Sequence, residues 1–273
     1  MSVTATTGQR LPATETLAVI VHDVLEGAPG RFGVAVRDLA TGAGVEHRAD
    51  EIFPSASTIK VPVLLALLRE VDRGRLSLDE RVTLPEGQRV GGSGVLPELP
   101  SVTALPLREL LALMIVVSDN EATNVLIDRV GLGAVAGLLA DAGAVGTRLS
   151  RHLMDLEAAA RGLDNLATAA DLVAVFAALA GGRLLSGSGT DLALGILRRQ
   201  QFTNRLPALL PTHVTVAHKT GEVHGVCHDA GIIEAGERRV AVAVLSDGLG
   251  DEGARGAMVI AEIGRAVYDT LLR

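Results

Sequence analysis

Strand-like alternation of apolar and polar residues occurs near both ends of this 273-residue chain and is missing from its middle. Arg31–Asp38 alternates Phe32, Val34 and Val36, and a glycine-containing turn at 40–44 leads to a second short strand near 45–48. Period-two alternation of this kind marks strands with one buried face. It returns only at 214–217, 230–233 and 239–245. Strands drawn from the two ends of a chain pair only if the ends come together, so everything between them becomes an insertion. The expected fold class is therefore α/β in the α+β sense. An antiparallel sheet is built from both termini, flanked by helices at 15–25 and 256–272, and an all-helical domain is inserted into it. The expected boundaries are 1–56 with 205–273 for the sheet domain and 57–204 for the helical one.

The middle reads as helices and loops. Residues 61–71 are apolar on nearly every side, as in a helix buried centrally. Further helices are expected at 107–117, Asn120–Val130, 169–179 and 191–199, with Gly91, Gly92, Ser93 and Gly94 forming a loop and 146–166 a long irregular segment. Gly131 and Gly133 follow a helix rather than a strand and lack the third glycine of a nucleotide-binding turn, so they are expected to join two helices. With no Trp, one Tyr and 48% hydrophobic residues, the core has to be built from Leu, Val, Ala and Ile. A net charge of −7 disfavours nucleic acid or an anionic membrane as partner. The single cysteine, Cys227, excludes an internal disulfide. Residues 1–14 read as a polar tail without the basic and apolar regions of a secretory leader, which makes the cytoplasm the expected location.

Basic residues are distributed unusually. Only Lys60 and Lys219 are lysines; every other basic side chain apart from histidine is arginine. Arginine stays protonated, whereas a buried lysine lowers its pKa readily and can act as a base. Lys60 stands three residues after Ser57, a helical spacing that puts hydroxyl and amine on one face. A serine becomes a competent nucleophile when such a base takes its proton. Lys219 opens the triplet Lys219-Thr220-Gly221, and a third motif, Ser118-Asp119-Asn120, lies between the two lysines. Taken singly, Ser118 and Asn120 read as caps of the helix that follows, and Lys219 as a solvated strand end.

In order and spacing, about 60 and then about 100 residues apart, the three motifs resemble those of class A β-lactamases and penicillin-binding proteins. The resemblance spans nearly the whole chain and implies a serine hydrolase that works through an acyl-enzyme. It implies Ser57 as nucleophile and Lys60 as its base. Ser118 would relay a proton to the leaving nitrogen, and the backbone N–H of Glu222 would complete an oxyanion hole with that of Ser57. Asn120 would hold the substrate amide, and Lys219, Thr220 and Gly221 its carboxylate side. Arg205, fourteen residues before Lys219, matches an anion-binding arginine of some members. The implied substrate is a small β-lactam, ester or short peptide, with no cofactor and no metal.

Two positions depart from the family. Class A enzymes release the acyl group with a water activated by a glutamate, which has an asparagine four residues later. Counting about 36 residues on from Ser118 reaches Met154. Asp155 is the nearest carboxylate and the expected substitute, Glu157 the next, and neither has the following asparagine. Glu222 stands where the family commonly has a small residue; its side chain either opposes an anionic substrate or pairs with Arg205. A β-lactamase with a substitute carboxylate is the leading expectation, followed by an esterase, amidase or D-Ala-type peptidase, and then by a protein that acylates and stalls. His218, His224, Cys227 and His228 form a dense cluster, but their spacing fits no standard zinc pattern.

Overall fold

The computed structural model describes residues 12–85 and 90–273; the first eleven residues of the expected tail lie outside them. The elements, in chain order, are α1 (Ala13–Leu25), β1 (Arg31–Asp38), β2 (Gly44–His47), β3 (Phe53–Pro54), a 3-10 turn (Ala56–Ile59), α2 (Lys60–Asp72) and β4 (Arg81–Thr83). A second 3-10 turn (Leu96–Glu98) precedes β5 (Ala104–Pro106), α3 (Leu107–Val116), α4 (Asn120–Val130) and α5 (Leu132–Ala142). There follow α6 (Leu156–Ala160), β6 (Leu166–Ala167), α7 (Ala169–Ala180) and α8 (Gly187–Leu197). The chain closes with β7 (Thr215–Val223), β8 (Val226–Ala235), β9 (Arg238–Asp247), α9 (Gly253–Val267) and a π-helical turn (Tyr268–Leu272).

The main sheet has the order β2-β1-β9-β8-β7 and is antiparallel throughout, so strands from both ends meet at the β1–β9 pair. Val34 faces Val244 and Val36 faces Val242 across that pair. Alternation sorts the residues of β9 between two layers. Val240, Val242 and Val244 join Leu17, Val21, Ile260 and Ile263 on the side covered by α1 and α9. Ala241, Ala243 and Leu245 face the opposite way, into the core that contains α2 and α7. The alanines let α7 approach the sheet closely. Each fully buried Leu, Val or Phe contributes roughly 1.5–3 kcal/mol, and Leu64, Leu65, Leu67 and Leu68 of α2 are all buried within that core.

Helix ends follow local chemistry. Asp119, Thr168 and Ser186 cap α4, α7 and α8 by accepting backbone N–H bonds from Ala122, Asp171 and Gly189. Pro62 sits in the first turn of α2, where its missing N–H does not interrupt the helix. Three local readings change. Ser57 lies in the 3-10 turn preceding α2 rather than in an α-helix. Lys219-Thr220-Gly221 runs through β7 instead of ending it, because the hairpin turn comes only after Val223 and His228 already belongs to β8. The irregular segment at 146–166 contains the short α6.

Candidate active site

The three motifs converge where β7, the 3-10 turn and the start of α4 meet. Gly221 makes the first junction possible. A Cβ added there would lie 3.2 Å from Ala56 Cβ, Ser57 N and Thr58 Cγ2, tight enough that its neighbours would have to yield, so glycine lets β7 pass close to the Ser57 backbone. Ala56, just before Ser57, takes a left-handed φ of 43°. Ser118 does the same at 57°. Strain of this type costs about 1–3 kcal/mol and persists where surrounding structure demands it.

Ser118 is the hub of a buried amine network. Lys60 Nζ donates to the Ser118 carbonyl at 2.6 Å, to Ser118 Oγ at 3.0 Å and to Asn120 Oδ1 at 2.8 Å. Lys219 Nζ reaches the same Ser118 Oγ at 3.1 Å and the Thr220 carbonyl at 2.8 Å. Burial, then the neighbouring Lys219, push the Lys60 amine well below its ordinary value, against a smaller opposing pull from Asp119. Burial also lowers Lys219, to about 7, with Arg205 adding to the shift and Asp229 resisting it. A neutral Lys60 keeps two donors for the Ser118 carbonyl and Asn120 and turns its lone pair to the Ser118 hydroxyl. A charged Lys219 donates to the same oxygen. That arrangement can pass a proton between Ser118 and Lys60. The Lys60 amine bonds Ser118 and Asn120 rather than Ser57, so the direct Ser–Lys contact suggested by the spacing is not the one formed.

Asp119, the middle residue of its motif, caps α4 and also accepts from Val95 N at 2.7 Å and Leu96 N at 2.9 Å. The cap is thus Asp119, not Ser118 or Asn120. Asn120 holds the same loop through Gly91 O at 3.0 Å, and its own N–H bonds Ser93 O. The second motif thereby fixes the rim that presents Ser93 beside Ser57 in two adjoining clefts, a residue no sequence signal had marked.

One cleft, about 360 Å3, joins Ser57 and Ser118 to Thr220, Arg205 and Glu222. Arg205 is buried there and pairs with the Glu222 carboxylate, the second of the two alternatives raised for Glu222. The larger cleft, about 610 Å3, runs from Ser57 and Asn120 to Leu153, Met154 and Leu156 on the segment before and into α6. Leu153 is held by its backbone, whose N–H and carbonyl bond the Asn124 side chain at 2.8 and 3.0 Å. Asp155 does not enter either cleft. Its carboxylate caps α6 by accepting from Ala158 N at 2.9 Å, and it lines a separate depression with Ile127, His152 and Arg161. The substitute role expected of Asp155 is therefore corrected: an N-cap turns its oxygens back onto its own helix. Among the described residues, the carboxylates lining the Ser57 clefts are Asp164, bonded to Arg151, and Glu222, bonded to Arg205.

Of the histidine cluster, His224 lines the larger cleft, while His218 and His228 are committed elsewhere. His218 Nδ1 meets both Asp229 carboxylate oxygens at 2.9 and 3.0 Å, and Asp229 also accepts from Leu206 N at 3.1 Å. His228 donates from Nε2 to the Pro54 carbonyl at 2.7 Å and accepts at Nδ1 from Ser246 N at 3.0 Å. Burial depresses His228 to about 4, so the ring is neutral and acts as a tie between β8, β9 and the turn before Ser57. Cys227, cross-strand partner of Glu222, is buried in the core on the α9 side of the sheet. No described helix is long and apolar enough to cross a membrane.

Residues 16–271 match the model of the β-lactamase enzyme family. β-Lactamase AST-1 of Nocardia asteroides is 34% identical over 248 residues, covering 88% of this chain and 79% of that protein. Among solved structures, a β-lactamase from Sphaerobacter thermophilus is 33% identical with a TM-score of 0.86, covering 95% of this chain and 98% of that one. A mutant of PBP-A, whose structure is an acyl-enzyme complex with penicillin G, is 30% identical with a TM-score of 0.83, covering 96% and 98%.

Proposed function

The chain belongs to the β-lactamase enzyme family, and from that premise we propose that this serine hydrolase acylates Ser57 with a β-lactam or related amide or ester and then releases the acyl group slowly. In the acylation step the Ser57 Oγ attacks the carbonyl carbon, and Lys60, turning toward Ser57 from its contacts with Ser118 and Asn120, receives the Ser57 proton. The Ser57 and Glu222 backbone N–H groups carry the oxyanion of the tetrahedral intermediate. The C–N bond then breaks, Ser118 gives its proton to the departing nitrogen, and Lys60 replaces it through their hydrogen bond. Burial lowers the Lys60 amine well below its ordinary value, which favours its role as a proton acceptor, and Lys219 supports the Ser118 oxygen from the other side.

The observation that carries slow release is the lining of the larger cleft. Leu153, Met154 and Leu156 stand along it, Asp155 is turned away, and both lining carboxylates are engaged by arginines. A hydrolytic water in this cleft therefore lacks a free carboxylate as general base, a group whose contribution is typically 10²–10⁴-fold. Intact mass spectrometry over time with benzylpenicillin tests both halves. A persistent adduct of one penicillin, absent in Ser57→Ala, is expected; rapid return to unmodified protein refutes slow release, and labelling that survives Ser57→Ala refutes the nucleophile.

A further inference from the structure

Arg205 and Glu222 form a pair of very unequal exposure. The arginine side chain is 4% exposed and the glutamate 70%. Arg205 is anchored from below: its Nη1 approaches the His228 carbonyl at 3.4 Å, and the next residue, Leu206, donates its N–H to Asp229. Arg205 Nε has no partner among the described residues. Glu222 instead hangs from the end of β7 at the mouth of the cleft that also contains Ser57, Ser118 and Thr220. The cation available to an incoming anion is thus already facing a carboxylate supplied by the chain itself.

We propose that Glu222 determines substrate charge at this site, occupying the anion-binding corner as an internal competitor so that acyl donors without a free carboxylate on the leaving-group side are preferred. This rests on the reading of Ser57 as the acylated residue. An entering carboxylate has to displace Glu222 from Arg205 or sit beside it, and like charges within a few ångströms repel. An ester or amide at the same place meets neither obstacle. Because Glu222 is exposed and can swing into solvent, the discrimination it imposes is graded, of order tenfold, rather than absolute.

The test compares benzylpenicillin with its methyl ester as acylating probes, taking the second-order rate of Ser57 labelling by intact mass spectrometry for the wild type and Glu222→Gln. The ratio of the anionic to the ester rate is expected to rise about tenfold in Glu222→Gln at low ionic strength, and to remain low in Glu222→Asp. Added salt is expected to raise the wild-type ratio by screening. A ratio that is the same in wild type and Glu222→Gln overturns the proposal, including the case in which both rates fall together, as a merely structural role would give. Absence of any Ser57 adduct with either probe in the wild type overturns the acylation reading itself, and this proposal with it.

Discussion

Gly221→Ala probes the closest contact in the site. The new methyl group would lie 3.2 Å from Ser57 N, Ala56 Cβ and Thr58 Cγ2, so its neighbours have to yield by a few tenths of an ångström. Thr58 is buried and its Oγ1 is bonded to the Ser55 carbonyl, so its methyl cannot easily move away. Ser57 N is main chain, Ala56 is already held at a φ of 43°, and β7 is tied to β8 along its length. The displacement therefore falls on the 3-10 turn that carries Ser57. Misplacing a reacting group by 1 Å costs about a hundredfold, so a third of that distance costs roughly fivefold. Tilting the Ser57 N–H away from a developing oxyanion adds to this, since losing such a donor altogether costs about 10²–10³-fold. The expected result is acylation by benzylpenicillin about five- to twentyfold slower. Overpacking also costs about 1–3 kcal/mol, which lowers the melting temperature by several degrees. Labelling rates come from intact mass spectrometry and stability from thermal unfolding. An acylation rate within twofold of wild type would refute the claim that glycine is needed to place Ser57, whatever happens to stability.

Two other outcomes are expected. Leu153→Glu puts a carboxylate on a backbone already clamped by Asn124, inside the cleft shared with Ser57; adduct lifetime should shorten by about tenfold to a hundredfold, the value of a general base reduced for imperfect placement, and an unchanged decay rate would count against an absent base as the cause of slow release. Lys219 is held at about 7, below the ordinary lysine value of 10.5, so between those pH values the unfolded chain binds more protons than the folded one and stability rises with pH. Urea unfolding at pH 7 and 9.5 should show a smaller rise in Lys219→Met than in the wild type, and equal rises would refute the depressed amine.

Much of the candidate site is readable without coordinates because its residues come in short, contiguous stretches. Ser57 with Lys60, Ser118 with Asn120, and Lys219 with Thr220 are neighbours in the chain, and all reach the same amine network or the clefts beside it. The strand at Arg31–Asp38 and the helix at Asn120–Val130 are equally legible, since alternation and helical period are local properties.

What needed the tertiary structure is the direction in which side chains point. Asp155 and Leu153 are two residues apart on one segment. The onset of α6 turns the carboxylate to cap that helix, while the Asn124 clamp holds the leucine at the cleft. The Lys60 amine turns to Ser118 because α4 brings that oxygen to it across 58 residues. The pairing of Glu222 with Arg205 likewise depends on Asp229 of β8 holding the chain at Leu206. A sequence determines which groups are present and which local periods they favour. Which of two nearby carboxylates or amines faces a substrate is decided by contacts made across the sheet and between helices, whose partners lie tens to hundreds of residues away.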